Sequence, residues 1–248
     1  MRDVEFHAGS VSSTEAIVLD NASRITLDQL LLLPDVDHFG LRITNSSVVT
    51  VSRSYIYSGV NGGGIHATQG TELTLARNTI SYHVFVERFN NLAINGNRLY
   101  GRCGPALAVV GPSNTVSIQN NAFIRRPDPA CAVNHIVEVD TAATPTTTLD
   151  YNNITHATDA YLWAGTSYDT PTDLHAATGQ VAHDLVAPSS SLTSLHDNAN
   201  ADAPGALTET ASPCAGSHVY ANTGTYQVSV AASNASGLTK TLAEEITV

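Results

Sequence analysis

Apolar residues recur along the chain in the phrase apolar–x–apolar–x–x–Asn–x–apolar. Clear copies are LTLARNTI from Leu73, LAINGNRL from Leu92 and VSIQNNAF from Val116. TTLDYNNI from Thr147 keeps the asparagine and opens on threonine. VEFHAGSV from Val4, ITLDQLLL from Ile25 and VTVSRSYI from Val49 put other residues at the Asn position. Successive copies start 21, 24, 24, 19, 24 and 31 residues apart. Apolar–x–apolar spacing puts both apolar side chains on one face of a strand. A second alternating element lies between the copies: EAIVL (15–19), FGLRIT (39–44), GGIHAT (63–68), HVFVE (83–87), PALAVV (105–110), HIVEVD (135–140) and AYLWAG (160–165). A repeat of this length marks a solenoid. Each period predicts three short β runs, with a tight Asn turn between the second and third.

Two solenoids share this period. A leucine-rich repeat needs another leucine three residues upstream, where this chain has Gly70, Phe89 and Ser113, and a helical back side. The linking segments hold Thr, Ser, Asn and Gly without a 3.6-residue stripe, so a right-handed parallel β-helix without helices fits better. Asn78, Asn97, Asn121 and Asn152 then stack one coil above another, about 4.8 Å apart, as a buried amide ladder with a structural role.

On these copies the chain resembles secreted bacterial right-handed parallel β-helix repeat proteins of the pectate-lyase-like superfamily, over about residues 4–205. TPTDLHAATGQVAHDLVA (170–187) looks like the stretch that leaves the last coil, and SLHDNANADAPG (194–205) like the closing segment. The tail at 218–248, with Gly224-Thr225-Tyr226, Val228, Val230, Asn234 and Gly237, is similar to the second half of a PKD-type β-sandwich. The expected fold is all-β: a solenoid of about seven coils in residues 1–187, a closing linker at 188–217 and a partial PKD-like tail at 218–248. Solenoids need polar end caps, and the first copy begins at Val4. The chain therefore reads as the C-terminal part of a longer secreted or cell-surface protein, or as a mis-started one, with no signal peptide of its own.

Charge narrows the function. The 11 cations against 22 acids in 248 residues leave a net charge of −11, and only Lys240 among the cations is a lysine. With no basic stripe, nucleic-acid binding is not expected. The run Leu30–Leu33 ends at Pro34, far short of the roughly 20 apolar residues of a membrane span, so no membrane insertion is expected. Cys103 and Cys131 each precede an alternating strand, one coil apart, and are a possible disulfide pair. Cys214 has no evident partner.

Strand alternation predicts an outward column of Arg42, His66, Phe85, Ala108, Glu138 and Trp163, with His83, Glu87, Asp140 and Tyr161 flanking it. Leu162 and Ala164 are assigned to the core. In enzymes of the resembled fold this strand lines the substrate groove, which places the candidate site here. Arg42 would neutralise a uronate carboxylate and acidify the adjacent C–H, and a neutral His66 would remove that proton. Glu87 and Glu138 are candidate acids or a hydrolytic pair, for which carboxyl groups must lie roughly 5–9.5 Å apart. Phe85, Tyr161, Trp163 and His83 are candidate sugar contacts. Asp35, Asp37 and His38 are a weak calcium candidate; no other cofactor is expected. Asn61-Gly62-Gly63-Gly64 lacks the residues of a phosphate loop and reads as a tight turn. His175 and His183 read as packing residues, and no Ser-His-Asp hydrolase elbow is present. The expectation is an extracellular protein that binds or degrades polysaccharide, most concretely a lyase on an acidic polymer. The alternatives are a glycoside hydrolase with paired carboxylates and a non-catalytic adhesion or structural module. The oligomeric state stays open.

Overall fold

The computed structural model describes residues 5–7, 15–33, 38–57, 62–125, 135–155, 159–186, 225–233 and 239–247. Each coil but the last has three strands. The first-strand column is β2 (Ile17–Asp20), β5 (Leu41–Thr44), the front of β8 (Ile65–Ala76), the front of β10 (Val84–Asn95), β12 (Leu107–Val110), β15 (Val137–Val139) and β18 (Tyr161–Trp163). Those seven rungs pair in parallel, as expected. The second-strand column is β3 (Ser23–Asp28), β6 (Ser47–Ser52), the backs of β8 and β10, β13 (Val116–Gln119) and β16 (Thr147–Asp150). The third column forms its own parallel sheet: β1 (Glu5–His7), β4 (Leu31–Leu33), β7 (Tyr55–Ile56), β9 (Thr79–Ile80), β11 (Arg98–Gly101), β14 (Ala122–Arg125), β17 (Asn153–Ile154) and β20 (Leu185–Val186). Glu5 pairs with Leu31, so the copy at Val4 is a third strand and not the equivalent of Ile25.

The alternating pattern drives this architecture. Leu41, Ile43, Ile65, Val84, Val86 and Leu107 point inward and are fully buried. Such burial stabilises by about 1.5–3 kcal/mol per large apolar side chain. Coils turn through single left-handed residues that stack in register. One column is Asn21, Asn45, Gln69, Arg88 and Gly111; another is Gln29, Arg53, Arg77, Gly96, Asn120 and Tyr151. A third, Arg24, Val48, Glu72, Asn91 and Thr115, bends the long strands between their first and second segments. Left-handed backbone is uncommon outside glycine, above all for a β-branched residue such as Val48. The paired strands on both sides hold it there. Gly70 fills the position expected of leucine in a leucine-rich repeat, and a Cβ there would lie 2.2 Å from the Phe89 ring and 2.4 Å from the Ser46 carbonyl.

The asparagine ladder is present and longer than expected. Asn78 Nδ2 donates to Asn97 Oδ1 at 3.0 Å, Asn97 Nδ2 to Asn121 Oδ1 at 3.0 Å, and Asn121 Nδ2 to Asn152 Oδ1 at 3.1 Å. The backbone N–H of each of the first three donates to the same oxygen. All four residues are fully buried, so their amides must be satisfied within the protein. Ser54 extends the ladder on one side, donating its N–H to Asn78 Oδ1 at 3.0 Å and accepting from the Leu30 N–H at 3.1 Å.

The C-terminal end departs from the all-strand expectation. β18 turns back into β19 (Thr166–Tyr168), the one antiparallel pairing of the described solenoid. Helix α1 (Pro171–Thr178) then takes the place of a second strand. Thr170 caps it, accepting from the Asp173 N–H, and Gly179 ends it at φ 75°. The helix buries Pro171 and Leu174, covering the end of the core with its only apolar side. A single 3-10 turn, Thr144–Thr146, opens β16. In the tail, β21 (Thr225–Ser233) pairs antiparallel with β22 (Thr239–Thr247). The closing segment at 194–205 lies outside the described residues.

Candidate functional site

Of the expected column, Arg42, His66, Phe85, Ala108 and Glu138 are in register on the first-strand face, and Val18 stands beside Arg42 one coil earlier. The last coil corrects it. Val137 pairs with Tyr161 and Val139 with Trp163, so these aromatics point inward, 1% and 7% exposed, and Leu162 takes the outward position. Ala164, expected in the core, is an exposed turn residue at φ 51°. The aromatics of AYLWAG stand one residue out of the expected phase, because alternation alone does not say which phase a strand adopts. Tyr161 and Trp163 fill the core and are not sugar contacts on this face.

Where the column holds, it concentrates functional groups. The His66 ring lies between two phenylalanines, 4.8 Å from Phe39 and 5.2 Å edge-on from Phe85. Phe39 reaches it by crossing Gly63: a Cβ there would lie 2.1 Å from the Phe39 ring. The glycine-rich turn thus serves the site by clearing space beside it. Burial between the rings lowers the His66 pKa and the Arg42 charge lowers it further, against smaller opposing effects of Glu87 and Glu15. The imidazole is held neutral, in the form that accepts a proton.

Arg42 is half-exposed and ion-paired through Nη2 to Glu15 Oε1. Glu15 and Phe39 are the two site residues that alternation did not nominate. Both stand two positions ahead of the first inward residue of their strand, in line with Gly63. Glu87 lies one coil beyond His66, in register with Thr68, and pairs with Arg88 at 3.5 Å. His83 is half-buried, its Nδ1 3.1 Å from the Pro105 carbonyl of the next coil. Asp140 is structural: its carboxylate accepts from the Gly111, Ala142 and Ala143 N–H groups.

Glu138 stands two coils from Phe85, and Glu87 is two residues further along that strand. Ideal strand spacings put the two glutamates about 12 Å apart at the backbone. Asp35, Asp37 and Cys131 lie outside the described residues. Among the described residues no group of three or more His, Cys, Asp or Glu side chains is placed to hold a metal. Cys103 is disulfide-bonded. His183 stacks on Tyr151, with ring centroids 4.4 Å apart, and pairs with Asp150 at 2.8 Å; His175 Nδ1 lies 2.9 Å from the Gln180 carbonyl. No described helix is long and apolar enough to cross a membrane.

These strands define a parallel β-helix, and the family model for the right-handed β-helix region matches residues 2–135, over half of the chain. The chain belongs to that family, which is compatible with a polysaccharide-related protein. No curated protein and no solved structure matches it.

Proposed function

We propose that this chain is an extracellular protein whose first-strand face takes an acidic polysaccharide, and that its chemistry is elimination at a uronate unit. The observation that carries this reading is the neutral, half-buried imidazole of His66 clasped between Phe39 and Phe85, with Arg42 its neighbour in register on the adjacent strand. Arg42 would bind the uronate carboxylate and stabilise the negative charge that develops when the adjacent C–H loses its proton. His66 would take that proton. The electron pair then forms the C=C bond as the neighbouring glycosidic C–O bond breaks. The leaving oxygen gains a proton from Glu87 or water. The partly exposed ring of Phe85 offers an apolar surface for a sugar ring.

The test is incubation of the chain with a panel of acidic and neutral polysaccharides, reading unsaturated-uronate absorbance and reducing ends. New absorbance on acidic polymers, lost in His66→Ala, is the expected result. Reducing ends without absorbance would replace elimination with hydrolysis. Silence on every polymer from a folded chain would leave a binding or structural module and overturn the enzymatic reading.

A further inference from the structure

The Glu15–Arg42 pair has an uneven build. The Arg42 side chain is 46% exposed, whereas Glu15 is 11% exposed and reaches the guanidinium from the first coil. The contact runs from a single Nη2 to a single Oε1. A guanidinium offers a planar fork of donors, and a carboxylate that engages it side-on makes two parallel bonds. An incoming carboxylate is therefore able to form a better pair with Arg42 than Glu15 does.

We infer that Glu15 is a built-in occupant of the carboxylate place on Arg42, displaced when the acidic group of a glycan binds. This rests on the reading of the first-strand face given above and adds how the empty site is kept. Without Glu15, Arg42 would project unpaired from an otherwise acidic protein and attract any anion. With it, only a ligand whose carboxylate takes the fork while its ring meets Phe85 gains enough to open the pair. Glu15 thus sets a threshold for acidic ligands and leaves neutral ones unaffected.

The experiment is calorimetric titration of the full chain with trigalacturonate and with a neutral trisaccharide, for wild type, Glu15→Gln and Arg42→Ala. Glu15→Gln should bind trigalacturonate about two- to fivefold more tightly, the range expected for removing a partly exposed competing ion pair. Its affinity for the neutral sugar should not change, and Arg42→Ala should weaken the acidic ligand. Circular dichroism and the NMR titration of His66 confirm that each variant is folded; in Glu15→Gln the His66 pKa should fall further as a neighbouring negative charge is lost. Equal or weaker trigalacturonate binding by Glu15→Gln, with binding still lost in Arg42→Ala, would overturn the displacement role and leave the acidic-glycan reading standing. No trigalacturonate binding by any of the three folded chains would overturn both.

Discussion

Asp184 accepts both the backbone N–H and the side-chain amide of Asn152, at 2.7 and 3.3 Å through the same oxygen, and so occupies the place where the next asparagine of the ladder would stand. Its other oxygen accepts from the Tyr161 hydroxyl at 2.8 Å. Asp184 thus takes the donors of Asn152 on a carboxyl oxygen, as each ladder asparagine takes its neighbour's donors on an amide oxygen.

Burial at this position pushes the Asp184 carboxyl up from 3.8 to about 7, against the hydrogen bonds from Asn152 and Tyr161 and with help from the nearby Asp150 charge. The folded chain thus holds a proton that the unfolded chain releases. The resulting contribution is present in full below the unfolded value and is lost as pH rises towards 7. Its span is about 4 kcal/mol. Denaturant unfolding between pH 4 and 8 should show wild type losing stability relative to Asp184→Asn over this window. Parallel curves would rule out this linkage.

Asn97 accepts from the Asn78 amide and N–H and donates to the Leu75 carbonyl at 2.8 Å. Asn97→Ala leaves these buried groups without partners and should destabilise the chain by about 3 kcal/mol. Asn97→Asp should be worse at neutral pH, because a carboxylate faces the Leu75 carbonyl and the Asn121 oxygen. Urea midpoints of the two variants check the order.

Gly63→Ala drives a methyl group into the Phe39 ring and should cost about 1–3 kcal/mol as the ring shifts. The shift removes one wall from His66, so its pKa should rise back towards the ordinary imidazole value. Arg42→Ala should raise it too, by removing a like charge. Titration of the His66 ring protons by NMR reads both. An unchanged pKa in Gly63→Ala would mean that Phe39 does not hold the imidazole.

Trp163 is the only tryptophan of the chain and is 7% exposed in the core. Its emission should be blue-shifted in the folded chain, move red on unfolding and stay unchanged when a glycan is added. A glycan-dependent shift would return Trp163 to the ligand face.

The ladder and the coil were legible in the sequence because each rests on a periodic pattern with a physical cause. Asn78, Asn97, Asn121 and Asn152 recur where a buried turn needs an amide, and Leu41, Ile65 and Val84 recur where a strand faces inward. What was not legible lay in single residues that break the period. Ser54 and Asp184 close the ladder with other side chains, so a search for asparagine passes over them. β18 follows a connection of variable length, which let Tyr161 and Trp163 swap faces with Leu162 and Ala164. Glu15 and Phe39 meet Arg42 and His66 across coils, and cross-coil pairs follow from the register alone. Helix α1 has Thr170, Pro171 and Gly179 at its ends, start and stop signals that the strand-only expectation set aside.

Between β9 and β10 the third strand passes into the next first strand through only Ser81, Tyr82 and His83, whereas Arg102–Ala106 and then residues 126–136 make the corresponding links further up. A three-residue link cannot build a wall. The strand that carries Phe85 is therefore bordered by a short link, and if the proposed polysaccharide lies on this face it can be laid over Phe85 from the side instead of being threaded in from one end. Cutting by that mode would scatter products over many lengths from the first turnovers, and a size profile of early products would show it.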